Sequence, residues 1–67
     1  MCQARIIMKQ GDSEQVILEN ASTLEVSDKG ITVSAIFEQP IVLAGAEVHS
    51  IDFLNGRVIV TRKGGKT

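Results

Sequence analysis

The stretch "ITVSAIF", residues 31–37, decides the fold. Its apolar residues recur at every second position. Ile31, Val33, Ala35 and Phe37 share one side, Thr32 and Ser34 the other, and Ile36 is the exception. A period of two is that of a half-buried strand, and branched Ile, Val and Thr pack well on a pleated surface. "SDKG" precedes it, with Gly30 able to take the positive φ that a tight corner needs.

The same rhythm extends in both directions. Towards the N-terminus, Leu24 and Val26 alternate in "TLEV", and Val16 and Leu18 alternate with Ile17 and Glu19. "KQGDSE" supplies a turn. Before it, Cys2, Ala4, Ile6 and Met8 fall on one face, with Gln3, Arg5, Ile7 and Lys9 on the other. Towards the C-terminus, Pro40 confines "IVLAG" to an edge or to the start of a strand. "AEVHSIDF" changes phase between Val48 and Ile51, the latter sharing a face with Phe53. In "FLNGRVIV", Asn55-Gly56 suits a two-residue type I′ hairpin. Both phenylalanines thus fall on apolar strand faces, where core packing is expected.

No stretch carries a helical stripe. The expectation is an all-β domain, a small barrel of six to seven short, mostly antiparallel strands, since closure hides strand edges in so short a chain. Residues 1–61 form that single domain, and residues 62–67, "RKGGKT", a flexible basic tail.

Composition narrows the function. Sixty-seven residues bury a modest core, so a partner subunit is the expected source of extra stability. One cysteine cannot make an internal disulfide, and one Cys with one His cannot complete a four-ligand zinc site. Net charge is −1, which gives no field for nucleic acid or an anionic membrane. No run is long and apolar enough for a membrane span, and no secretory h-region is present; a cytoplasmic protein with a reduced thiol follows. There is no nucleotide-binding motif and no catalytic constellation, so the chain does not read as an enzyme. The runner-up reading is a small β-barrel RNA-binding or protein-interaction module without a metal, in which Cys2 merely packs; RNA binding is the form of it that composition can weigh. It is disfavoured by charge and by the presence of two Phe with no Tyr or Trp, although Arg57, Arg62, Lys63 and Lys66 give the C-terminal end a basic bias.

Cys2 has two readings. Its strand phase is that of a small inward-facing residue. Its position at the chain start also allows its thiolate to chelate a metal together with its own nitrogen or the amine of Met1. One nitrogen–sulfur pair is half a coordination sphere. Two pairs across a two-fold axis make a planar N2S2 set, which suits nickel(II). His49, the only imidazole, is either a surface loop residue or an auxiliary metal ligand.

"MCQAR", "LEV", "ITVSAIF" and "HSIDFLNGRVIV" together resemble the CooT family, small nickel-binding accessory proteins linked to maturation of nickel-iron carbon monoxide dehydrogenase. The Met-Cys-x-Ala-Arg/Lys start is the specific element. The resemblance implies a homodimer of small all-β subunits holding one nickel(II) per dimer through the cysteine matching Cys2. It implies metal delivery or storage for a client such as the dehydrogenase, not catalysis. Members of the family have also been described as RNA-binding, which the charge and aromatic counts do not favour.

Overall fold

Ile31 and Val33 are completely buried, at the centre of the short strand that organises one half of the molecule. The computed structural model describes residues 3–62. Seven strands follow one another: β1 (Ala4–Gln10), β2 (Ser13–Ala21), β3 (Thr23–Ser27), β4 (Gly30–Ser34), β5 (Ile41–Ala44), β6 (Ala46–Asp52) and β7 (Arg57–Arg62). They form a four-stranded sheet in the order β2-β1-β7-β6 and a three-stranded sheet in the order β3-β4-β5. Every pairing is antiparallel except β1 with β7. Among the described residues no helix is long and apolar enough to cross a membrane.

The all-β expectation holds, but the barrel does not. Closing a barrel requires ladder pairing along every edge. Here pairing stays within each sheet, and the chain passes between sheets at two corners, Ser22 and Gly45. Each corner is pinned by one backbone hydrogen bond: the Ser22 N–H donates to the Ser34 carbonyl at 2.8 Å, and the Gly45 N–H to the Lys29 carbonyl at 3.0 Å. The result is two packed sheets. Ile6, Met8, Val58 and Val60 from the larger face Ile31, Val33 and Leu43 from the smaller across one core.

Three irregularities adjust the pattern. In β6, Val48 opposes Val60 while Ser50 opposes Ile59, so His49 is an extra residue in a β-bulge. The bulge places Val48 and Ile51 on the same face although three positions separate them, which accounts for the phase change in "AEVHSIDF". Two register shifts in β2 opposite β1 leave Ile17 and Leu18 both half-buried and turn Val16 outward. Ile7 is buried although it faces away from the core; it pairs with Val16 on one side and Ile59 on the other, in a central strand whose neighbours cover it.

Two turn expectations are corrected. Phe37 does not continue β4 inward. The Glu38 N–H donates to the Ala35 carbonyl at 3.2 Å, closing a turn in which Phe37 takes φ 71° and is fully exposed. Phe53 is 88% exposed, so neither phenylalanine is in the core. The β6–β7 connection is a four-residue loop, 53–56, between the paired Asp52 and Arg57. Of its residues only Gly56 has a positive φ, whereas a type I′ turn requires one at both central positions. Pro40 does precede an edge strand, β5. Of the tail expected over residues 62–67, Arg62 closes β7 and donates its Nη1 to the Ala44 carbonyl at 2.7 Å; the remainder lies outside the described residues.

Candidate metal centre

Met1 and Cys2, the expected donors, lie outside the described residues. The surroundings of their point of attachment are well defined. Gln3 is exposed, Ala4 is half-buried against the core, and Ile6 and Met8 are buried, so the inward phase of β1 persists to its first residue. The Arg5 N–H donates to the Gly56 carbonyl at 2.8 Å. A Cβ on Gly56 would stand 3.3 Å from the Gln3 carbonyl. The start of β1 and the β6–β7 turn are therefore in contact, which follows from the parallel pairing of Arg5 with Arg57.

The turn itself is braced. The Asp52 carboxylate accepts the Asn55 N–H on Oδ1 at 3.1 Å and the Asn55 side-chain Nδ2 on Oδ2 at 2.8 Å. The Asn55 side chain, then its backbone N–H, holds the Asp52 carboxyl below its ordinary value; desolvation opposes them more weakly, and the Leu54 N–H and the Arg57 charge add lesser lowering effects. Phe53 and Leu54 form the crest of this fixed turn, 88% and 92% exposed. Beside it lies an open depression of about 570 Å³ lined by Gln3, Arg5, Glu19, Asn55, Gly56 and Arg57.

His49 is elsewhere. It sits exposed on the edge strand β6, separated from β1 by β7. Its place in the bulge, between the residues that oppose Val60 and Ile59, puts it on the order of 15 Å from Gln3 by strand rise and spacing. The structure thus does not bring His49 to the chain start of the same subunit. Among the described residues no cluster of three or more His, Cys, Asp or Glu could hold a metal.

Two features went unread in the sequence: the Arg5–Arg57 depression and the Phe53–Leu54 crest. The first depends on the non-local pairing of β1 with β7. The second had a local signal, since "DFLNG" places an apolar pair between an Asx-turn former and an Asn-Gly.

The family model for "CO dehydrogenase accessory protein CooT" matches residues 1–61. The crystal structure of a candidate CooT from Carboxydothermus hydrogenoformans superimposes with a TM-score of 0.82 at 26% sequence identity, covering 92% of this chain and 98% of that one. No curated protein matches this chain. The matched span includes the Met-Cys start and ends inside β7, so it takes in every element of the fold. The chain belongs to the CooT family of CO dehydrogenase accessory proteins.

Proposed function

We propose that this chain is a cytoplasmic nickel-binding accessory protein that delivers or stores nickel(II) for carbon monoxide dehydrogenase maturation, working as a homodimer that holds one ion between two copies of Cys2. The observation that carries the reading is the family match across residues 1–61, which includes the chain's one thiol at position 2. The donor chemistry agrees with it. A thiolate and an adjacent nitrogen, from Cys2 itself or from the Met1 amine, give two ligands per chain. Two chains complete a planar N2S2 set, which d8 nickel(II) accepts and tetrahedral zinc does not favour. The surroundings suit a carrier: Gln3, just before β1, is exposed beside an open depression, where an ion can be handed on without unfolding the core.

Each donor loses a proton on binding, so affinity rises from acid to mildly basic pH. Titrating nickel into wild type and Cys2→Ser while following thiolate-to-metal charge-transfer absorption tests the assignment. The wild type should saturate at half an equivalent per chain, and the variant should show no band. Equal binding by the variant removes Cys2 from the site.

The exposure of Phe37 and Phe53 gives a second reading its specific support, because stacking on single-stranded RNA needs aromatics at the surface. It requires binding to RNA that weakens steeply with salt and is indifferent to nickel. The net charge of −1 works against it.

A further inference from the structure

We infer that the open depression between β1 and β7 is a binding site for a small carboxylate, held by the guanidinium groups of Arg5 and Arg57. The inference goes beyond the nickel reading and does not depend on it.

Strand register supplies the first argument. Arg5 and Arg57 are partners in the parallel β1–β7 pair, and each is followed by a buried residue, Ile6 and Val58 respectively. Successive side chains point to opposite faces, so both arginines stand side by side on the outer face of the larger sheet, with Cα atoms about 4.8 Å apart. Like charges so placed repel one another. Among the described residues neither guanidinium has a hydrogen-bond partner, whereas Arg62, the third arginine, donates to the Ala44 carbonyl at 2.7 Å. Asp52 opposes Arg57 from β6, but both of its carboxylate oxygens accept from Asn55.

The lining supplies the second argument. The depression, at about 570 Å³, has the size of a small-molecule site, and Gln3, Arg5, Glu19, Asn55, Gly56 and Arg57 line it. A guanidinium presents a planar fork of donors that matches the two oxygens of a carboxylate. Neutral donors stand around the pair: the Gln3 side-chain amide, and the second N–H of the Asn55 amide, whose first is held by Asp52. Glu19 sets the charge of the ligand. Two positive groups and one negative group line the depression, so a single negative charge balances it. A phosphate group, at about −1.5 to −2 near neutral pH, leaves surplus negative charge against Glu19. A carboxylate does not.

Titration of the metal-free protein with sodium acetate tests the site, with acetate exchanged for chloride at constant ionic strength and amide and guanidinium NMR shifts followed. Acetate is the smallest probe of the class. Wild type should show saturating shifts confined to the lining residues, with a midpoint on the order of 10 mM. Arg57→Gln should raise the midpoint about tenfold, and Arg57→Lys, which keeps the charge but loses the fork, should raise it nearly as much. Glu19→Gln should lower it about threefold. Should Arg57→Gln lose its dispersed spectrum, Arg5→Gln gives the same readout. Shifts that are linear in acetate and unaltered by Arg57→Gln overturn the inference, as does a Glu19→Gln midpoint no lower than that of wild type. Tighter binding of inorganic phosphate than of acetate by the wild type overturns it equally. No nickel is present in these titrations, so their failure is separate from a failure of the Cys2→Ser titration.

Discussion

Gly56 lies against the backbone of Gln3: a Cβ at position 56 would stand 3.3 Å from the Gln3 carbonyl, while the Gly56 carbonyl accepts the Arg5 N–H at 2.8 Å. This contact ties the start of β1 to a loop that carries two large exposed apolar residues, Phe53 and Leu54. Gly56 also has φ 66°, which an L side chain adopts at a cost. Gly56→Ala should lower stability by about 1–2 kcal/mol, read from the denaturation midpoint. Because it displaces the segment that bears Cys2, it should also weaken nickel binding although no donor has been changed.

Gly30 is the tightest position among the described glycines. An added Cβ would fall 2.3 Å from the Leu43 carbonyl and 2.9 Å from the Gly45 nitrogen, where β4 pairs with β5 and the chain turns between sheets. Both obstacles are backbone and neither can swing away. Gly30→Ala should cost about 4 kcal/mol or more, comparable to the whole stability of so small a domain. Its circular dichroism at 25 °C should be that of a largely unfolded chain; a cooperative transition at the wild-type temperature would contradict the packing described for this corner.

Phe37 combines φ 71° with complete exposure, so it bears backbone strain without burying its ring. Asn tolerates the left-handed region better than Phe. Phe37→Asn should raise stability by about 0.5–1 kcal/mol, seen as a higher melting temperature. A loss instead would mean that the ring is covered in solution.

The pH dependence of the turn follows from Asp52. Its carboxyl is held below the ordinary value of 3.8 chiefly by the Asn55 side chain. The charged form is therefore favoured by folding. Its contribution is fully present above the unfolded value and is lost as the pH falls through the folded one. Asp52→Asn should melt below wild type at neutral pH, and the gap should close as the pH drops below about 4. A gap that is constant with pH would mean that the Asp52–Asn55 bonds owe nothing to the charge.

Much of the fold could be read from period-two patterning: all seven strands lie within stretches that alternate, and Pro40 marks an edge strand as expected. What escaped is non-local or arises from irregularity. The division into two sheets depends on where strands bend, at Ser22 and Gly45, and the parallel pairing of Ile6 with Val58 joins residues far apart in sequence. Alternation continued past Ser34 wrongly carried Phe37 into the core, because one left-handed residue ends the strand without a glycine to announce it. The reading of Asn55-Gly56 as a two-residue turn likewise drew Phe53 into a strand. The change of phase before Ile51 did betray the bulge at His49. Of the candidate site, the proposed donor Cys2 rests on the sequence alone and lies outside the described residues, while the turn and depression near the start of β1 required the β1–β7 pairing.

The central claim is that one nickel ion is shared by two chains through Cys2. Native mass spectrometry of the protein with added nickel tests it most directly. The account predicts a dimer carrying a single ion for two chains, absent from Cys2→Ser under the same conditions. One ion per chain, or an ion retained by the Cys2→Ser dimer, would contradict it.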